Sequence, residues 1–461
     1  MKYILLLITL LSQILMATHI SLNDPITVGG VKQKNFNSNL PIVIIDTYDK
    51  KIKDEPSIKG RMFIIRPNKN HRASLSIAPS YAGYIQIEIR GQSSQQFPKK
   101  QYSIKTIDIN ENEDDVSLLD MPQEHKWILN APYSDKSMMR NYFAYEMTRK
   151  IDKSKYYAVR SRYVEVLIHK NGAYHDRGIY LLTEKIKKDK NRLNIKKIKR
   201  ITKKNITGGY ILKLYKHKNE KEEFLLYKEN KRFEIEYPRK KNLSNIETVY
   251  ISNYLKKFQE ALYSDDFNIT SSPKYYGKWI DIDSFIVHFL AREFFLDVDS
   301  WMFSEYIHKD RYQKLSLSTI WDFNLGMGND NYRFKGSYKG WAYQYYVQGA
   351  PYTISSWVQR LMSDPSFHKK VRDRWDKLRL TIWSDKEISN FINKTYKLLA
   401  VPSQRNFNRW YKVLGKYVWP NNKRCVDKNG QAIFCKTFAS AVYQGLKPWI
   451  LNRAKWMDYN L

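Results

Sequence analysis

The chain has 461 residues, and 79 lysines and arginines against 46 aspartates and glutamates give a formal net charge of +33. At 43% hydrophobic and 15% aromatic it is too apolar for a disordered polycation, and 18 glycines, 15 prolines and 2 cysteines exclude collagen-like and disulfide-scaffold chains. The length accommodates two or three domains or one large bilobed fold.

The opening Met1-Lys2-Tyr3, with apolar runs at 4–11 and 14–17, predicts a secretory signal cleaved after Ala17. It is too short and interrupted to span a membrane, and no later segment approaches that length. Residues 18–38 are polar and predict an irregular tether. From 39 to 245 the pattern is β-rich. Residues 41–46, 60–65, 83–90 and 98–105 read as strands, the last two by alternation of apolar and polar side chains. Residues 138–151 read as a helix, and strands at 162–169 and 178–183 flank the turn signal Lys170-Asn171-Gly172. A lysine-rich stretch at 185–205 precedes a strand at 208–214 and a charged loop or hairpin at 216–245.

From 246 to 461 the periodicity is helical. Ile246, Val249, Tyr250, Tyr254, Leu255 and Phe258 follow a 3.6-residue repeat, and Phe285, Phe289, Leu290, Phe294 and Phe295 form a face broad enough to be mostly buried. Near the C-terminus, Cys425 and Cys435 flank Asn429-Gly430. A two-residue turn there would set Cys425 opposite Phe434. A bulge or a three-residue loop centred on Gly430 would join the sulfurs, and a disulfide-stapled hairpin of an exported protein is the expectation.

Four stretches carry more polar chemistry than folding requires. Arg90-Gly91-Gln92-Ser93-Ser94 is a strand end and small-residue turn, with Lys99 and Lys100 returning on the next strand; hydroxyls, backbone N–H groups and ammoniums so gathered suit phosphate. Alternation leaves open which of the two lysines meets it. In the second stretch, Asp135 or Ser137 can cap the helix at 138–151, placing Arg140 in its first turns, where a cation calls for an acidic partner or an anionic ligand. The third ends a strand at Glu184-Lys185. The fourth holds Asp297 and Asp299, then Trp321-Asp322-Phe323-Asn324 running into Gly326 and Gly328. Asp322 and Asn324, two apart on one face, suit Mg²⁺, and a second carboxylate would orient an attacking hydroxyl.

Arg90-Gly91-x-Ser93-Ser94, Pro98-Lys99-Lys100-x-Tyr102, Arg140-Asn141, Asn171-Gly172, Gly178-x-Tyr180, Thr183-Glu184-Lys185, Asp299 and Trp321-Asp322-x-Asn324 with Gly328 stand in the order found in the spore-coat CotH kinase family. The chain resembles that family from about residue 40 to about 330. The resemblance implies an α+β, bilobed, atypical protein-kinase-like fold that uses ATP with Mg²⁺ or Mn²⁺ to phosphorylate Ser or Thr of a partner protein. It implies Asp299 as the catalytic carboxylate and Asp322, with Asn324, as the metal ligand. Arg90, Ser93, Ser94, Lys99, Lys100 and Arg140 would face phosphate, and Glu184 would be a nucleotide-site or lysine partner. Asn324 stands where the family often has Asp, which keeps an oxygen but drops a charge, and Ser304 stands where Asn is common. The expected protein is a monomer, secreted or held in the cell envelope. Competing readings are a non-catalytic surface or adhesion protein on the same fold, and a basic nucleic-acid binder, against which the spread of charge along the whole chain argues.

Overall fold

The computed structural model describes residues 24–28, 31–33, 35–152, 156–198, 206–214, 224–227, 231–239, 242–345 and 353–461; the predicted signal lies outside them. Seven strands close a barrel: β1 (Ile42–Asp46), β2 (Ile58–Ile65), β3 (Tyr81–Arg90), β4 (Gln101–Ile107), β5 (Lys126–Asn130), β6 (Ser161–Lys170) and β7 (Ala173–Glu184). Their order is β6-β1-β2-β3-β4-β5-β7, with β7 pairing back onto β6. Only β6 and β1 run parallel within this ring. Alternation explains the closure. Ile85, Ile87, Ile104, Trp127, Val164 and Leu182 share one buried cluster, while the intervening Gln86, Glu88 and Arg90 point outward.

Asn171 and Gly172, both at positive φ, make the predicted two-residue hairpin between β6 and β7. Further along, a bulge at Arg177 precedes Gly178, whose φ is +76°. A Cβ at Gly178 would lie 2.4 Å from Asn406 Oδ1, so glycine lets a C-terminal helix approach the barrel closely.

One expectation is corrected. The stretch 18–38 is not an irregular tether throughout: Ile26–Val28 pairs in parallel with β7 and buries Ile26 and Val28, and Val31–Gln33 pairs with it. Strand structure continues beyond 245, within the mostly helical part of the chain. A second sheet is built from β8 (Tyr210–Leu214), β9 (Phe224–Tyr227), β10 (Lys231–Tyr237), β11 (Glu305–Lys309) and β12 (Leu315–Ile320), in the order β12-β11-β8-β10-β9, with Tyr157–Ala158 at its edge. β11 is five residues long with three charged or imidazole side chains, and its central place comes from pairing with β8, about a hundred positions earlier in sequence, as well as with β12 just after it.

The helices are α1 (Arg140–Arg149), α2 (Asn245–Leu262), α3 (Ile282–Phe295), α4 (Ser355–Met362), α5 (Pro365–Arg379), α6 (Asp385–Arg409) and α7 (Lys447–Asn460). None of the described helices is long and apolar enough to cross a membrane. α3 is the central one, capped by Asp281, buried at every position from Ser284 to Phe295 and ended by Leu296 at φ 42°. Its buried charges are paired, as low-dielectric surroundings require: Glu305 of β11 forms an ion pair with Arg292, 2.9 Å from its Nε, and faces His288 Nε2 at 2.6 Å. Phe294 packs against Trp375 and Trp383, joining α3 to α5. α6 docks on the barrel through Arg405, which grips Glu165 of β6 with bonds of 2.9 and 2.6 Å.

Cys425 and Cys435 form the predicted disulfide, but not by the predicted register. Cys425 pairs with Ile433, and the loop Lys428-Asn429-Gly430 centres on Asn429. Cys435, two residues past that pair, folds back to a Cα separation of 5.1 Å.

Candidate active site

The end of α3 makes the first half of the site. After Leu296 the chain turns through Asp297-Val298-Asp299, and Asp297 Oδ1 accepts the Asp299 N–H at 2.9 Å. Trp301, at φ 69°, locks this turn. Its indole donates to Glu293 at 2.7 Å, and its backbone N–H donates to Glu305 at 2.8 Å. Asp297 is buried, and its Oδ2 has no hydrogen-bond partner among the described residues. Gly326 closes over it: a Cβ there would stand 2.7 Å from the Phe295 carbonyl and 3.3 Å from Asp297 Oδ2.

β12 delivers the second half. Trp321 stacks on Tyr145 of α1 at 5.9 Å, and Asp322, at φ 64°, donates its N–H to the Tyr145 hydroxyl at 3.2 Å. The next N–H, of Phe323, donates to Asn141 Oδ1 at 2.6 Å. α1 thus holds both peptide groups after Trp321 in an orientation that no regular strand would give them.

The electrostatics are those of crowded carboxylates. Burial drives Asp297 well above the usual carboxylate range, with the charges of Asp299 and Asp322 pushing the same way. Asp322 keeps some solvent access, yet desolvation pushes its carboxyl up against the pull of Arg90, Arg292 and Lys213. Desolvation likewise lowers the Arg90 guanidinium, and Asp322 is the main charge opposing it. Arg90 lies over the Trp321 ring at 5.9 Å. From Arg90 a cavity of about 280 Å³ extends along the outer face of the barrel, lined by Glu88, Ser103, Lys105, Lys126 and Lys185 among others. Desolvation lowers the Lys126 ammonium, and Arg239 and Lys185 add to it by repulsion, so the cavity favours an anion. Lys185 also reaches Glu236 of the second sheet at 3.3 Å.

The structure sorts the residues expected at phosphate. Arg90 and Asp322 lie close enough for each to act on the other's charge, and Asp299 and Asp322 both act on Asp297. Ser93 and Ser94 lie in a short helical turn, Ser93–Gln96, after Gly91 at φ +104°. Three cations are otherwise engaged. Lys99 is buried, donating to the Ile179 carbonyl at 2.6 Å and Asn406 Oδ1 at 2.8 Å, with Asp176 and Glu165 as its nearby charges. Lys100 folds back onto the Gln95 carbonyl at 2.5 Å. Arg140 is a buried clamp: it pairs with Asp135 and donates to the carbonyls of Gly326 at 3.0 Å and Met327 at 3.2 Å. Its partner is the acidic one, and what it holds is the loop after Asp322. Neither Asp135 nor Ser137 is the cap residue of α1, which starts after Met139; Asp135 Oδ2 instead reaches the Arg140 N–H at 2.9 Å. Glu184 meets arginines rather than a lysine, Arg192 at 2.9 Å and Arg160 at 3.1 Å. Asn324 is half-buried beside Asp322, its backbone carbonyl bound by Asn329 Nδ2 at 2.8 Å. Ser304 stands at φ 57°, its carbonyl bound by Arg292. Sequence reading noticed Asp297 and Lys185 but gave them no role, and it missed Arg292 on α3, Lys213 on β8, and Lys105 and Lys126 on β4 and β5.

The donor set fits a hard divalent cation. An unsatisfied buried carboxylate oxygen on Asp297, a second carboxylate on Asp322 and the amide oxygen of Asn324 are oxygen ligands of the kind Mg²⁺ or Mn²⁺ takes. The cavity with Arg90, Lys105, Lys126 and Lys185 fits the phosphates of a nucleotide.

The chain matches none of the curated proteins. The family model described as CotH kinase protein matches residues 87–457, from the strand bearing Arg90 to the last helix, beyond the limit of about 330 set by the motifs. With most of its length matched, this chain belongs to the CotH kinase family.

Proposed function

We propose that the protein is an exported kinase that transfers the γ-phosphoryl group of ATP to Ser or Thr hydroxyls of a partner protein. The observation that carries this reading is that the charges of Asp299 and Asp322 act on buried Asp297, while Arg90, whose charge acts on Asp322, also lines the lysine-bearing cavity. Arg90, Lys105, Lys126 and Lys185 would hold and orient the triphosphate, and the Ser93-Ser94 turn would cover it. Asp322, with Asp297 and Asn324, would hold a divalent cation, which supplies charge neutralisation to the phosphate oxygens when bound. Asp299 would orient the acceptor hydroxyl and take its proton. The hydroxyl oxygen then bonds to the γ-phosphorus, the bond to the β–γ bridging oxygen breaks, and ADP leaves with that electron pair.

A bilobed division belongs to this proposal, with residues 39–245 forming the β-rich part and 246–461 the helical part. So does export, supported by the apolar start of the chain and by the disulfide. Asn324 favours a second reading, since an amide in place of a charge weakens the metal: a surface or adhesion protein that binds nucleotide without transfer. Incubation with labelled ATP and Mg²⁺ or Mn²⁺ separates the two. Label on a Ser-bearing protein or on the chain itself supports the kinase. ATP binding without any transfer supports the surface protein, and neither binding nor transfer overturns both.

A further inference from the structure

Two segments, 331–345 and 409–424, contain no aspartate or glutamate. At 46 acids in 461 residues, these 31 positions would carry about three. They hold eight cations instead: Arg333, Lys335 and Lys339 in the first; Arg409, Lys412, Lys416, Lys423 and Arg424 in the second. Far apart in sequence, they meet in space. Asn331 Nδ2 lies 3.2 Å from the Tyr417 hydroxyl, and the Asn422 amide donates to the Lys335 carbonyl. The rings of Tyr332 and Trp419 lie parallel within 5°, centroids 6.4 Å apart. Both rings are well exposed, at 44% and 40%.

The joint surface adjoins the site. Arg333 turns inward and donates to the carbonyl of Val298, the residue before Asp299. Asp330, the acid just before the first segment, is buried and consumed, accepting the N–H groups of Arg333, Phe334 and Lys335. Lys335, three residues after Tyr332, and Lys423, four after Trp419, remain at the surface.

We propose that this surface is the acceptor platform, and that the segment it takes is an acidic peptide bearing the target Ser or Thr, a deepening that rests on the kinase reading above. Carboxylates of the peptide meet Lys335 and Lys423, while its backbone and apolar groups lie on Tyr332 and Trp419, amphipathic rings that contribute contact area at low entropic cost.

The test is fluorescence anisotropy with the full chain and three labelled probes: a Ser-containing glutamate-rich peptide, its lysine-for-glutamate counterpart, and oligothymidylate. The acidic peptide should bind at least about tenfold tighter than its basic counterpart. The advantage should fall on the order of tenfold in a Lys335→Glu/Lys423→Glu variant, and also in Trp419→Ala, with melting temperatures matched to wild type. Equal binding of the two peptides overturns the platform, as does tighter oligothymidylate binding that the same variants abolish. Binding needs no transfer, so a chain that selects the acidic peptide but never phosphorylates it overturns the kinase reading alone. A chain that phosphorylates both peptides equally overturns the platform alone.

Discussion

Arg424, the residue before Cys425, donates to the carbonyl of Gly336, in the loop that follows Asp322. The Trp449 indole reaches the same carbonyl at 3.0 Å, and Asn421 holds Asn329 Oδ1 at 3.0 Å. The disulfide hairpin is therefore a buttress for residues 329–336, the loop that carries Arg333 toward Asp299. Removing the bridge with Cys425→Ser/Cys435→Ser frees a short loop, at a cost of roughly 2–3 kcal/mol. We expect a lower melting temperature, and a fall in phosphoryl transfer larger than any fall in ATP binding. Thermal denaturation and a transfer assay on the same preparation check both.

The two proposed catalytic carboxylates should fail differently. Asp322→Asn removes a metal ligand and should weaken metal-dependent ATP binding and transfer together. Asp299→Asn should leave ATP binding nearly intact while transfer falls on the order of 10²–10⁴-fold, the usual worth of a positioned base. Asn324→Asp should tighten the metal. Titration calorimetry beside initial rates, on variants matched in stability, reads the contrast.

Asp297 offers a trade between stability and function. Its buried carboxylate oxygen lacks a hydrogen-bond partner among the described residues and lies against like charges. Asp297→Asn should therefore raise the melting temperature in chelator, by the equivalent of about 1 kcal/mol or more. The same change should shrink the stabilisation that Mg²⁺ or Mn²⁺ gives the wild type. Melting curves with and without metal decide it. A variant less stable in chelator would show that the carboxylate has a partner after all.

Lys99 should give stability a basic limb. Burial lowers its ammonium from an ordinary 10.5 to about 7, with Asp176 and Glu165 pulling partly back. Between about pH 7 and 10.5 the unfolded chain then binds more protons at this site than the folded one, so this lysine's contribution to stability rises with pH across that window and levels off above it. Lys99→Met should flatten the rise. Denaturation midpoints from pH 6.5 to 10.5 for the two proteins measure it, and parallel curves would mean that Lys99 stays charged in the fold.

Local order was legible from the residues themselves. Alternating side chains marked β3 and β4, Asn171-Gly172 marked its hairpin because two adjacent positive-φ residues suit a two-residue turn, and the periodic aromatics marked α2 and α3. The cysteine pair was legible too, although its register was not, since a short loop admits several alignments of nearly equal cost. What only the tertiary structure decided is which charged side chain meets which partner. Lys99 finds Asn406, Arg140 finds Gly326 and Glu165 finds Arg405 across separations of 307, 186 and 240 residues. No motif encodes such a meeting. A lysine followed by small polar residues looks the same whether it faces a phosphate or a buried carbonyl; the difference is the desolvation set by elements packed over it, and that follows from how the barrel closes and where α6 lands.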